Sequence, residues 1–434
     1  MDDKSWASFS EECRRIFDGL HSCTEGEVAS YIPQLAEAPP NQFALSVLTV
    51  DGRSLELGDV QERVCVQSCC KPLLYGMALS ERGEEEVGRH VGKEPSGAKF
   101  DDFKFDKDGK PFNPLINAGA IMSTAMIRAS DPPDRRFQHI MQVWSTMVGR
   151  GEAAFDNATY LGERRTAFRN VALSHLMMEN GAFPPATSIE ETLQLYLQAC
   201  SVSVKPMGMA RYAAMLANGG TVPGGASIFP PSIVRDVLCV MYSSGMYDYS
   251  GRWSSEIGLP AKSGVSGMVM VVVPKLCGLC LFSPRLDPMG NSVRAIRFMR
   301  QLVRKYRLHI FETLVMGLND NKQQLHRRSQ ADAIYRACAA NDAESLARLL
   351  EQNEEVLVDY DRRTPLHIAV DDESAACAAV LARQGADIRA ADRWGKTPLG
   401  SAGRAMRCLL LAHDSERQGL RQAWSRWRPQ SELL

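Results

Sequence analysis

Gln67-Ser-Cys-Cys-Lys-Pro-Leu-Leu-Tyr75 sets Ser68 and Lys71 three residues apart, with Pro72 directly behind the lysine. On a helix, positions i and i+3 share a face, so the hydroxyl and the ammonium can meet. Partial desolvation lowers the pKa of a lysine and lets it take a serine proton. Proline is tolerated in the first turn of a helix, which puts Ser68 near a helix N-terminus, where backbone N–H groups have no intrahelical partner. Such groups can hold a developing oxyanion. A bare Ser-x-x-Lys is more often an ordinary helix start with a surface lysine, so the reading needs partners elsewhere in the chain.

Upstream, Phe43–Val50 and Arg53–Gly58 flank Asp51-Gly52, a strong hairpin signal. Phe9–Leu20 reads as a short helix of mixed charge. From about Asn117 to Gly258 helical periodicity dominates, broken by Pro and Gly. Its stretches are Phe137–Val148, Arg169–Asn180, Ile189–Ala199 and Ala210–Asn218. Two late apolar runs, Met268–Val273 and Leu276–Phe282, enclose Pro274-Lys275 and predict a second antiparallel hairpin, and Ser292–Tyr306 predicts a closing helix. Strands at both ends with helices between them predict an α+β fold. One antiparallel sheet is completed by N- and C-terminal segments, a helical subdomain is inserted, and a cleft forms at the junction.

Beyond a polar, basic stretch at Gly317–Arg328 the pattern changes. Arg363-Thr-Pro-Leu-His-Ile-Ala369 matches the start of an ankyrin repeat, and Lys396-Thr-Pro-Leu399 repeats it one 33-residue ankyrin period later. Ala333–Leu350, with Asn341-Asp342 before its second half, reads as a degenerate capping repeat. Each such unit leaves an apolar face uncovered, so about three must stack.

Composition narrows the classes. The 50 Lys and Arg against 51 Asp and Glu leave a formal charge of −1, which gives no electrostatic reason for nucleic-acid or membrane binding. Twelve cysteines are scattered, several in apolar runs, which suits a reducing compartment and not a disulfide framework. Cys277-Gly-Leu-Cys280 lacks a second pair or a nearby histidine and reads as two buried thiols in a strand. The acidic start Met1-Asp-Asp-Lys-Ser5 has neither a secretory apolar run nor an Arg-rich transit pattern. The expectation is a soluble, intracellular protein, cytoplasmic as written. A mitochondrial address would need a longer isoform with a transit peptide.

Later motifs resist explanation by packing alone. Asn117-Ala-Gly-Ala120 sets a carboxamide before small residues, Gly245-Met-Tyr-Asp-Tyr-Ser-Gly251 is a glycine-bracketed loop with two phenols, and Lys262-Ser-Gly264 opens the final strands. An early Ser-x-x-Lys, a mid-chain Asn and a late Lys-Ser-Gly resemble the serine β-lactamase and penicillin-binding sites, although their Ser-Asp-Asn is absent. The full set of motifs resembles the animal-type, phosphate-activated glutaminases, serine enzymes of β-lactamase-like fold with C-terminal ankyrin repeats. It comprises Tyr31-Ile-Pro-Gln-Leu35, Gln67-Ser-Cys69, Val91-Gly-Lys-Glu-Pro-Ser-Gly97, Asn113-Pro-Leu-Ile-Asn-Ala-Gly-Ala120, Leu216-Ala-Asn-Gly-Gly220, Gly245-Met-Tyr-Asp248 and Gly258-Leu-Pro-Ala-Lys-Ser-Gly264.

That resemblance covers about residues 28–310 and the ankyrin region, and implies hydrolysis of L-glutamine to L-glutamate and ammonia. It implies Ser68 as nucleophile, Lys71 as its base, backbone N–H groups of Ser68 and Val265 as the oxyanion hole, and Tyr247 as a proton relay. It aligns Glu163 with the carboxylate that meets the substrate α-amino group. Tyr31, Gln67, Asn117, Asn170 and Tyr196 fall around the rest of the amino acid. The domains expected are a helical segment over 1–27, the catalytic domain over 28–316, a linker over 317–328 and ankyrin repeats over 329–430. No metal or organic cofactor is expected, with phosphate as a candidate activator. Expected partners are glutamine, a second copy or three in a homodimer or homotetramer, and a protein on the ankyrin repeats.

Two departures stand out. Ala167-Phe168-Arg169 replaces the family's Gly-Asp-Arg, setting an aromatic beside the pocket, and Lys104 stands where the animal enzymes carry an apolar residue in the activation loop. The first keeps open an alternative, a catalytically weak homologue acting as an ankyrin scaffold. A Ser-x-x-Lys amidase acting on another amide is the third reading.

Overall fold

Asp51-Gly52 closes the predicted hairpin between β1 (Ala44–Thr49) and β2 (Ser54–Gly58), with Gly52 at a φ of 90° that favours glycine. The computed structural model describes residues 3–97, 99–311, 328–351, 358–359 and 362–417. They fall into two compact units that part between Leu318 and Asn319. Apart from Arg328, the expected linker lies outside the described residues, as does the ankyrin region beyond 417.

In the first unit β3 (Ala261–Ser263), β4 (Met268–Val273) and β5 (Cys277–Phe282) join the N-terminal hairpin in one five-stranded sheet. Its order is β2-β1-β5-β4-β3, antiparallel throughout. The β1 and β5 register sets Leu45 opposite Leu281. Burial explains the strand sequences. Edge strand β2 alternates, with Leu55 inside and Ser54 and Glu56 out, whereas every residue of β4 and β5 is buried, hence their unbroken apolar runs. The helix Pro206–Ala217 packs onto β5 so closely that a Cβ at Gly278 would stand 2.1 Å from the Ala214 nitrogen. Cys277 and Cys280, three apart on β5, are buried free thiols on opposite faces.

The chain between β2 and β3 supplies the inserted helices, Lys71–His90, Asn117–Met126, Pro133–Val148, Asn157–Thr166, Phe168–Glu179, Ile189–Cys200, Pro206–Ala217 and Pro231–Ser244. Prediction placed the Ala210–Asn218 helix four residues late, because Pro206 is a helix-starting residue and not a breaker there. The sequence reading missed a small sheet of Val64–Cys65, Val202–Val204 and Ala153–Phe155. Strands of two or three residues show no periodicity. Arg294, on the closing helix Val293–Tyr306, is buried and donates to the carbonyls of His21, Cys23, Asn41 and Gln42, which ties that helix to the N-terminal connections.

The second unit stacks helix pairs Arg328–Ala339 with Ala343–Glu351, Pro365–Asp371 with Ala375–Gln384, and Pro398–Ser401 with Arg404–Arg417. Cys338, Leu346, Leu366, Cys377, Leu381 and Leu410 are fully buried between them. Thr364 caps its helix reciprocally with His367, whose Nδ1 accepts from the Thr364 N–H at 2.9 Å. The opposite ring nitrogen reaches the Lys396 carbonyl at 3.2 Å, linking one repeat to the next.

Candidate active site

Ser68 lies on a tight 3-10 turn, Gln67–Cys70, that runs straight into the helix Lys71–His90. The serine thus sits one turn ahead of the α-helix, and Pro72 at the helix's second position lacks only an N–H that has no intrahelical partner there. Gln67 adopts φ 47° and Tyr247 φ 53°, a left-handed conformation costly for non-glycine residues that recurs at functional sites.

Lys71 is fully buried. Its Nζ donates to Asn117 Oδ1 at 2.7 Å and to the Leu115 carbonyl at 3.2 Å, and burial brings its pKa down to about 8. Asn117 opens the helix Asn117–Met126 and is shared. Its Oδ1 also accepts from Tyr196 OH at 3.3 Å, and its Nδ2 donates to Asn170 Oδ1 at 2.9 Å. The preceding loop is held by Asn113 Oδ1, which accepts the Leu115 and Ile116 N–H groups. Only glycine fits at 119, since a Cβ there would meet the Asn113 carbonyl at 1.9 Å. Behind Lys71 the thiols of Cys70 and Cys200 lie 3.8 Å apart.

Across the cleft β3 runs beside the Ser68 turn, and a Cβ on Gly264 would stand 3.0 Å from the Val66 carbonyl. Tyr247 OH donates to the Ser263 carbonyl at 2.9 Å, and burial, opposed by the nearby Ser68 side chain, raises its phenol far above the ordinary range. Lys262 Nζ sits 4.3 Å from the centre of that ring and donates to the same carbonyl at 2.7 Å. Burial, then the charge of Lys71, brings the Lys262 pKa to about 7. Among the described residues neither the Ser68 nor the Val265 N–H has an acceptor.

Glu163, on the helix Asn157–Thr166, is buried and accepts from Tyr31 OH at 2.7 Å and from Gln67 Nε2 at 3.1 Å. Burial raises its pKa, opposed by those two hydrogen bonds. Among the described residues it has no cationic partner. A buried carboxylate met only by neutral donors has its charge uncompensated, which favours a cationic partner.

The ten residues singled out from the sequence therefore fall into linked sets. Lys71, Asn117, Asn170 and Tyr196 form one network, Tyr31, Gln67 and Glu163 a second, and Ser68 with Tyr247 a third, while Val265 follows β3. The side chain of Lys262 was missed, because the sequence reading considered only the backbone of Lys-Ser-Gly. The signal was there in a charged residue opening an apolar strand. Phe168 is 79% exposed, so the aromatic that replaces the family's acid stands in solvent and does not fill the pocket. The neighbouring Arg169 holds the loop instead, with ion pairs to Asp101 at 3.0 Å and Asp102 at 3.6 Å and its guanidinium 4.8 Å from the Phe103 ring. Lys104 Nζ lies 5.7 Å from the Phe112 ring.

Solved structures share this fold. Probable glutaminase ybaS superposes with a TM-score of 0.68 at 30% identity, covering 72% of this chain and 99% of that one. Mglu, solved in its tris and glutamate form, superposes with 0.66 at 35%, covering 72% and 68%. Among curated proteins, putative glutaminase 2 of Caenorhabditis elegans is 39% identical over 97% of this chain and 70% of its own length. The mitochondrial liver isoform of mouse glutaminase is 35% identical over 91% and 67%. The glutaminase family model matches residues 26–311, and a model for three ankyrin repeats matches 300–413. The chain belongs to the glutaminase family, in its ankyrin-bearing form, and is a glutamine-hydrolysing enzyme. No helix among the described residues is long and apolar enough to cross a membrane.

Proposed function

We propose that the hydrolysis runs through a covalent Ser68 acyl-enzyme. The observation that carries this is a fully buried lysine, three residues after the serine, bonded only to neutral acceptors and brought to a pKa of about 8. In the neutral amine two N–H groups serve those acceptors, which leaves the lone pair for the Ser68 proton. Neutral Lys71 takes the Ser68 proton, and Oγ attacks the side-chain carbonyl carbon of glutamine. The N–H groups of Ser68 and Val265 hold the oxyanion, each worth on the order of 3 kcal/mol. Tyr247, beside Ser68, relays to the departing ammonia the proton that Lys71 took up, and water then cleaves the ester to free glutamate and Ser68.

Glu163, with Tyr31 and Gln67, receives the substrate α-ammonium. Asn117, Asn170 and Tyr196 orient the amino-acid backbone. Groups buried and paired in this way reject ligands that leave them unsatisfied. Nucleophile, base and donors all come from the chain, so this mechanism asks for no metal or organic cofactor.

The test is glutamate release by wild type and by Ser68→Ala, with mass spectrometry of rapidly quenched enzyme. An ester on Ser68 and loss of turnover in the variant are expected. Full turnover in Ser68→Ala would remove the acyl-enzyme. The same reading includes a homodimer or homotetramer, phosphate as an activator, and a protein partner on the ankyrin unit. A monomer by light scattering, or rates indifferent to phosphate, would remove the corresponding part.

A further inference from the structure

We propose that the last ankyrin repeat is a docking surface for an acidic, extended peptide, an inference that rests on reading the ankyrin unit as protein-binding. Between Arg383 and Leu411 stand six basic side chains, Arg383, Arg389, Arg393, Lys396, Arg404 and Arg407, all exposed, against Asp387 and Asp392. The whole chain, by contrast, has a formal charge of −1.

Both acids serve the local backbone. Asp387 Oδ1 accepts the Arg389 N–H, and Asp392 Oδ1 accepts those of Trp394 and Lys396, each at 2.8 Å. The Asp392 bonds hold a rigid turn that presents Trp394, 58% exposed, with the Arg393 guanidinium 4.4 Å from its ring. At the base of that turn Arg389, Thr397, Leu399, Gly400 and Arg407 line a groove of about 450 Å³.

The preceding repeat shows what differs. There Arg363 pairs with Asp371 at 2.5 Å. One period of 33 residues later the same two positions hold Lys396 and Arg404, both cationic. At these two positions the last repeat therefore carries two cations where its neighbour has an ion pair. Two guanidiniums in one groove match successive carboxylates, and the aromatic turn offers apolar area beside them. Complementary charge speeds encounter and selects against basic partners.

The experiment uses the full chain and fluorescein-labelled Glu-Glu-Phe-Glu-Glu-Phe-Glu-Glu, read by anisotropy. Comparison probes are the same peptide with Gln, or with Lys, for Glu, and single-stranded oligothymidylate. The Glu peptide is expected to bind, and to weaken between about 50 and about 300 mM salt as screening shortens. Arg389→Gln with Arg407→Gln should weaken it about tenfold, and Trp394→Ala should weaken it as well, with glutamine turnover unchanged as proof of folding. Equal binding of the Gln peptide would overturn the acidic specificity and leave the protein-binding reading standing. Tighter binding of the oligonucleotide, no binding of the Glu peptide, or indifference to the double arginine variant would each overturn the proposal.

Discussion

Lys71→Met should abolish glutamine turnover and yet stabilise the catalytic unit near neutral pH. The lysine is fully buried, and holding it at about 8 rather than the ordinary 10.5 corresponds to roughly 3 kcal/mol of penalty on its charged form. Methionine fills a similar volume without that penalty. Against this gain, the Leu115 carbonyl loses a donor, at about 1 to 2 kcal/mol, while Asn117 Oδ1 keeps Tyr196. The net expectation is about 1 to 2 kcal/mol of stabilisation at pH 7.

The pH dependence gives the sharper check. The folded pKa lies below the unfolded one, so between about 8 and 10.5 the unfolded chain holds more protons at this site. Stability from this lysine therefore rises with pH across that window and is lowest below it. The advantage of the methionine variant should shrink from pH 7 to pH 10. Paired urea titrations measure it, because tyrosine and cysteine titrations cancel between the two proteins. A difference that is destabilising at pH 7, or that stays constant with pH, would show that Lys71 is not a buried, depressed base.

Three more expectations follow from the same geometry. Since Lys71 must be neutral to accept a proton, kcat/KM should rise with pH through about 8, and a flat profile across that range in steady-state assays would remove it as the base. Tyr247→Phe should lower kcat by about 10² to 10⁴ with an unchanged melting curve, because Lys262 still donates to the Ser263 carbonyl; a wild-type kcat would exclude the phenol as proton relay. Glu163→Gln should lower kcat/KM by about 10², mostly through KM. It should leave stability equal or higher because the buried carboxylate is gone, and an unchanged KM for glutamine would displace Glu163 from ammonium recognition.

The alternation and turn chemistry of the chain were enough to read the two hairpins, the helical insertion and the ankyrin period, because these depend on neighbours within a few residues. Asp51-Gly52 and the 33-residue spacing of Thr364 and Thr397 needed no tertiary context. The ordered motifs likewise brought Ser68, Lys71, Asn117, Glu163 and Tyr247 forward as a group. Helix and strand edges set by long-range pairing did not show. Val64–Cys65 exists as a strand because Val202–Val204 lies beside it, and nothing local marks either.

What the tertiary structure alone decided are the environments. In sequence Lys71, Lys262 and Glu163 are three ordinary charged residues. Burial between the inserted helices and β3 lowers the pKa of both lysines and, among the described residues, leaves the glutamate without a cation, since an ionisable group answers to the dielectric and partners around it, not to its place in the chain. Phe168 is the converse case. Its identity suggested a blocked pocket, and its placement at the first turn of an exposed helix turns it to water. Spacing along the chain names the groups that can meet, while only the packing of distant segments sets which of them meet and in what charge state.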